Sequence, residues 1–288
     1  MTPLVSPQWL ADRASDDGLL IIDIRSVVDG GGRVAYEQGH VPRSLHTDYV
    51  KDGWRATKGA ATGLLPDPAH LSALFTRLGL RHDHHAIIVS AGTSVGDFSA
   101  AARVYWTLKM AGHRTISILD GGFGGWRRDL ARAIETGPPR ERAPVPTYAV
   151  ELAAEPRADV GAVEAALADR AAVLLDSRSI SYFEGREKSP QAARPGRLPG
   201  ALHLDHSGAF DAAAGRLKPL AELEKLFAAV PPRPTINYCN TGQQAATNWF
   251  VLSEVLGRPF AKLYDGSMSE WTEQPSRPVA VGPADTPR

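Results

Sequence analysis

A single cysteine, Cys239, follows the apolar run Thr235-Ile236-Asn237-Tyr238 and precedes a small polar turn, Asn240-Thr241-Gly242-Gln243-Gln244. A helix-like stretch over residues 245–252 comes next. Strand, cysteine, tight loop and helix together aim backbone N–H groups and the positive end of a helix at the sulfur. That field favours the thiolate, which is the nucleophilic form. An unpaired cysteine is more often a buried structural thiol, so the case rests on what surrounds it. Gly242 lets the loop fold tightly. Asn240, Thr241, Gln243 and Gln244 offer donors to a charge on, or leaving from, the sulfur, although the same residue types serve as ordinary loop and N-cap polarity. A thiolate that accepts a group and passes it on works by covalent catalysis, in two displacements.

An anionic partner for that sulfur needs cations, and the loop has none. The charged insert over residues 182–190, with Arg186 and Lys188, and the following Arg194 and Arg197 are the candidates. They follow the strand end Asp176-Ser177-Arg178, on the side of the sheet where open α/β folds bind ligands. Asp176 and Arg178 read as an ion pair that supports the loop. Other clusters carry less. His82-Asp83-His84-His85 lacks a separated fourth ligand, so no metal site is expected. Gly30-Gly31-Gly32 lacks the spacing of a nucleotide loop and reads as a flexible turn, so no cofactor is expected. Trp249 and Trp271 are expected to pack a core, with Trp249 beside the cysteine. A cysteine phosphatase would need an arginine at the end of the loop to clamp an oxyanion; the residue there is Ala245, between Gln244 and Ala246.

The elements that position Cys239 occur twice. Leu20-Ile21-Ile22-Asp23-Ile24-Arg25-Ser26 is answered by Val173-Leu174-Leu175-Asp176-Ser177-Arg178-Ser179. Gly39-His40-Val41-Pro42-Arg43 is answered by Gly196-Arg197-Leu198-Pro199-Gly200, and Asp120-Gly121-Gly122 by Asp265-Gly266-Ser267. Aligned on the strand before the loop, Cys239 faces Ala91, in a longer first loop, 91–97, that holds no comparable nucleophile. Apolar strands alternating with amphipathic helices predict α/β domains with mainly parallel sheets flanked by helices. Two copies predict a non-catalytic domain over 1–135, a proline-rich linker over 136–147 and a catalytic domain over 148–288. The tail beyond Gln274, with Pro275, Pro278, Pro283 and Pro287, is expected to be loosely held.

Composition narrows the setting. The chain has 288 residues, 43% apolar and 22% charged, with 32 Lys+Arg against 32 Asp+Glu. A net charge of zero gives no bulk attraction for nucleic acid or an anionic membrane. One cysteine forms no intramolecular disulfide. Neither a secretory leader nor an apolar run of membrane-spanning length is present, so the cytoplasm is expected.

With the same ordered motifs occurring twice, the chain resembles the two-domain rhodanese-type sulfurtransferases, the thiosulfate and mercaptopyruvate sulfurtransferases, from about Ser6 to Trp271. The resemblance implies two tandem rhodanese-like domains and a Cys239 persulfide. Sulfane sulfur would come from a small anionic donor and go to a thiophilic acceptor: cyanide, a thiol or thioredoxin. In mercaptopyruvate members a Ser–His–Asp set accompanies the loop. Here Thr241 takes the hydroxyl position and Asp48 the acid position, but Gly63 stands where the histidine would be. Thiosulfate is therefore favoured. The family's donor-binding arginine falls near Tyr182, leaving Arg186 or Lys188 to replace it. The alternative is a persulfide carrier or thiol-partner docking module without turnover.

Overall fold

The computed structural model describes residues 2–27, 31–129, 131–139 and 144–283. Its strands, in chain order, are β1 (Leu4–Val5), β2 (Leu19–Asp23), β3 (Leu45–His46), β4 (Ala56–Lys58), β5 (Ala61–Leu64), β6 (His85–Val89), β7 (Ile116–Leu119), β8 (Arg157–Ala158), β9 (Val173–Asp176), β10 (Leu202–His203), β11 (Phe210–Asp211), β12 (Arg216–Leu217), β13 (Thr235–Tyr238) and β14 (Ala261–Tyr264). They form two five-stranded sheets, β1-β7-β6-β2-β3 and β10-β9-β13-β14-β8. Every neighbouring pair in both is parallel. Each sheet has the same order when its strands are counted within its own half. The apolar runs forecast this: β2, β6, β9 and β13 are buried at every position, as parallel strands covered on both faces must be.

The chain forms two compact units, and each takes a short antiparallel hairpin from the other half. The first unit runs on to Ala154 and includes Phe210–Lys218, which carries β11 and β12; the second begins at Glu155 and includes Arg55–Leu65, which carries β4 and β5. The division falls at 154 and 155 instead of at the 148 drawn from the sequence. Packing is the reason. Tyr148 is 1% exposed, meets Phe75 edge-on at 5.3 Å, and its hydroxyl bonds His113 Nδ1 at 2.9 Å. Of the linker expected over 136–147, residues 140–143 lie outside the described residues.

The described tail is tied down, contrary to the loose segment expected. Arg197 and Ala280 exchange backbone hydrogen bonds at 2.9 Å. Arg197 Nη1 donates to the Gly282 carbonyl at 2.6 Å and Nη2 to that of Pro283 at 3.0 Å. Trp271 Nε1 donates to the Pro278 carbonyl. Gly31 and Gly32, at φ 89° and 60°, open the helix Gly32–Gln38; Gly30 lies outside the described residues. No helix among the described residues is long and apolar enough to cross a membrane.

Candidate active site

Cys239 follows the last residue of β13, the middle strand of its sheet. Its residue is 1% exposed. Ser267 fixes its backbone: Ser267 Oγ accepts the Cys239 N–H at 3.0 Å and donates to the Tyr264 carbonyl at 2.8 Å. The Cys239 and Asn240 carbonyls accept the N–H groups of Met268 and Ser269, at 3.1 and 2.9 Å. The loop then turns through Gly242 at φ 74° into the helix Gln243–Phe250. A side chain there would be strained in the left-handed region.

Strand register corrects the pairing of Cys239 with Ala91. β9 places Asp176 opposite Tyr238, and β2 places Asp23 opposite Val89. The residue after Val89 is Ser90, so Ser90 is the counterpart of Cys239. Bonds in the next turn agree: Phe123 and Gly124 donate to the Ser90 and Ala91 carbonyls as Met268 and Ser269 do to Cys239 and Asn240. The sequence reading carried the first strand through Ser90, one residue past its end at Val89, and so shifted the alignment by one residue.

The two loops differ most at the helix start. In the first unit, Ser94 caps the helix Val95–Met110 in a capping box with Asp97. Asp97 Oδ2 accepts the Thr93 N–H at 2.7 Å, the Thr93 hydroxyl at 2.8 Å and the Ser94 N–H at 2.9 Å. A carboxylate thus already fills the place where the helix end favours negative charge. Behind Cys239 the cap is Gly242, with no side-chain hydrogen bond and no acid in the first turn. That helix end keeps its electropositive character for a charge on sulfur.

Asp176 and Arg178 form the expected ion pair. Nε and Nη2 of Arg178 reach Oδ1 and Oδ2 of Asp176 at 2.9 and 2.6 Å, with side chains 3% and 0% exposed. Nη2 also donates to the Gly196 carbonyl, and Nη1 to Asn240 Oδ1 at 3.2 Å. The pair therefore holds the first loop residue after the cysteine. Burial works against the charge on Arg178, yet Asp176 outweighs it and holds the guanidinium above its ordinary value, with Tyr238 and Cys239 adding to the pull. Asp23 and Arg25 repeat this arrangement in the first unit.

The four cations expected to bind the donor are engaged elsewhere. Arg186, with a 60% exposed side chain, pairs with Glu184. Lys188 donates to the Ala192 carbonyl, and Arg194 to those of Gln274 and Arg277. Arg197 clamps the tail as described. Trp249 is fully buried and donates Nε1 to the Ala261 carbonyl, and Trp271 belongs to the second core. In the histidine cluster, His82 stacks on Tyr148, His84 Nδ1 accepts the Arg81 N–H, and His85 meets Ser117.

What the sequence reading missed comes from far along the chain. The hairpin Arg55–Leu65 packs on the cysteine loop within the second unit. Leu65 N–H donates to Asp265 Oδ2 at 2.6 Å, Thr62 exchanges backbone bonds with the Ser269 hydroxyl, and Ala60 N–H donates to Glu273. Gly63, at φ 84°, lies so close that a Cβ there would stand 2.2 Å from the Thr241 carbonyl oxygen. No imidazole fits at this position, and Asp48 caps a turn of the first unit by accepting Val50 N–H and Lys51 N–H. Arg55 Nη1 donates to Gln243 Oε1 at 3.4 Å. Ser267 was missed as well. Its signal was a serine where the first copy has Gly122, beside a cysteine where the first copy has Ser90.

Residues 6–129 and 159–274 both match the rhodanese-like domain. Over 97% of its length the chain is 33% identical to a probable 3-mercaptopyruvate sulfurtransferase of Pseudomonas aeruginosa, covering 98% of that protein. It is 30% identical to a thiosulfate sulfurtransferase of the same species, over 96% of this chain and 97% of the other. The crystal structure of SseA from Escherichia coli, of the 3-mercaptopyruvate class, superimposes with a TM-score of 0.78 at 29% identity, over 93% of this chain and 99% of that one.

Proposed function

We propose, from the premise that this chain belongs to the rhodanese-like family and is a sulfurtransferase, that Cys239 carries sulfane sulfur as a persulfide from thiosulfate to a thiophilic acceptor. The observation that carries this reading is the contrast at the two helix starts. Behind Ser90 a carboxylate fills the anion-favouring end, and behind Cys239 that end is left to the sulfur. In the first displacement the Cys239 thiolate attacks the sulfane sulfur. The new S–S bond forms as the S–S bond of thiosulfate breaks, and the electron pair leaves with sulfite. In the second, cyanide or a thiol such as thioredoxin takes the terminal sulfur and the thiolate returns. The charge passes from the Cys239 sulfur to the terminal sulfur that it carries and back again, beside preorganised dipoles that lower the barrier.

Gly63 supports thiosulfate over mercaptopyruvate. Sulfite leaves without a proton, whereas pyruvate must gain one at carbon, a task for a general acid. The position that would hold a histidine accepts no side chain. We place the reaction in the cytoplasm, where a lone thiol stays reduced. Incubation with thiosulfate should add one sulfur to the intact mass and cyanide should remove it. Turnover of thiosulfate should exceed that of mercaptopyruvate. Stoichiometric loading without turnover would make the chain a carrier, and the reverse donor preference would overturn the choice of thiosulfate.

A further inference from the structure

We propose that Arg55 binds the anionic end of the sulfur donor at Cys239, so that the first half of the chain supplies the cation that the catalytic loop lacks. The inference rests on reading Cys239 as the sulfur-carrying residue. Residues 239–244 contain no Lys or Arg. Arg178 touches the loop, but Asp176 offsets its charge, and its donors are held by Asp176, Gly196 and Asn240. Arg186, Lys188, Arg194 and Arg197 make their hydrogen bonds away from the loop.

Arg55 is placed differently. It opens the hairpin segment that joins the second unit, it is half-buried, and its Nη1 reaches Gln243 Oε1. Gln243 is the first residue of the uncapped helix, and Gly242 precedes it. On the other side of Gly242, Thr241 is the residue that Gly63 crowds. The hairpin therefore meets the loop on both sides of the helix start, with a guanidinium at one edge. A contact of 3.4 Å to a neutral amide is long. An oxyanion forms shorter, charge-assisted bonds of roughly twice the strength, so a donor oxygen competes well for that Nη1. With thiosulfate, Arg55 would hold the sulfonate oxygens, on which charge grows as sulfite departs. The donor class is thus a sulfane compound ending in an oxyanion.

The test compares the full-length wild type with Arg55→Gln and Arg55→Lys. Cys239, the single cysteine, is alkylated by iodoacetate, an anion, and by neutral iodoacetamide at one pH, with rates read by intact mass. This needs no turnover. We expect Arg55→Gln to lower the iodoacetate-to-iodoacetamide rate ratio about tenfold, the effect of one lost charge-assisted contact. Arg55→Lys should restore part of it, Arg186→Gln should leave it alone, and salt should lower the wild-type ratio. The thiosulfate KM should rise by a similar factor in Arg55→Gln. An unchanged ratio in folded Arg55→Gln overturns the proposal even when the protein turns over thiosulfate. Equal slowing of both reagents overturns it too, because Arg55 would then only shape the loop. Absence of wild-type alkylation by either reagent also overturns it, for no anion would reach the sulfur. A lowered ratio in a protein that transfers no sulfur would uphold the anion site and sink the sulfurtransferase mechanism at Cys239.

Discussion

Replacing Gly63 with alanine tests whether the hairpin sets the register of the cysteine loop. Two costs add. Alanine at φ 84° enters the left-handed region, at about 1–2 kcal/mol. The new Cβ would also stand 2.2 Å from the Thr241 oxygen and 2.9 Å from its Cβ. Carbon and oxygen rest at about 3.3 Å or more, so hairpin and loop must part by roughly 1 Å. The atom in the way is backbone, which no rotamer change can move aside. If the hairpin lifts, the bonds of Thr62 to Ser269 and of Leu65 to Asp265 stretch; if the loop yields, the residues after Cys239 shift. A misplacement of this size costs about a hundredfold in rate. We expect Gly63→Ala to lower kcat/KM for thiosulfate, read as thiocyanate formed from cyanide, by about that factor. Its stability in urea should fall by about 2–5 kcal/mol. Gly63→His should follow alanine and gain no mercaptopyruvate activity, although it restores the residue type expected by resemblance. Wild-type kcat/KM and an unchanged urea midpoint in Gly63→Ala would refute the reasoning.

Other outcomes follow from the same geometry. Cys239→Ser should keep the far-ultraviolet circular dichroism and lose thiocyanate formation, because oxygen neither attacks sulfur well nor stores it; retained transfer would remove Cys239 from the mechanism. Asp176→Asn leaves the buried Arg178 without its carboxylate and should cost about 3–5 kcal/mol in urea unfolding, so an unmoved midpoint would contradict the ion pair as drawn. His113 is 2% exposed, and burial, with His82, His84 and His85 nearby, pushes it down from 6.5 to about 4 against the bond to the His84 carbonyl. The unfolded chain then takes up this proton at a higher pH than the folded one. Stability is full above about pH 6.5 and falls as pH drops toward 4, by about 3 kcal/mol in all. The urea midpoint of His113→Gln should change less between pH 7 and pH 4.5 than that of the wild type, and equal changes would contradict this.

Much of this molecule is written locally. The doubled Asp-x-Arg strand ends, the apolar runs and the strand–Cys–loop–helix order set two parallel sheets and put Cys239 at the end of a middle strand. Period and burial act over a few residues and leave their mark in the chain. The Asp176–Arg178 pair was legible for the same reason, since its partners are two residues apart. The donor cations were sought in the insert after Arg178 because charge and sequence nearness pointed there. Those side chains instead bind Glu184, nearby carbonyls and the tail.

Only tertiary structure decided which residues meet at the sulfur. The hairpin with Arg55 and Gly63 lies some 180 residues before the loop that it contacts. Its position depends on Leu65 reaching Asp265 and Thr62 reaching Ser269, and no local period records such pairings. Strand register likewise identified Ser90 as the counterpart of Cys239, because hydrogen bonds between neighbouring strands mark where a strand ends and an apolar run does not. Local chemistry specified the nucleophile and its sheet; long-range packing specified its company.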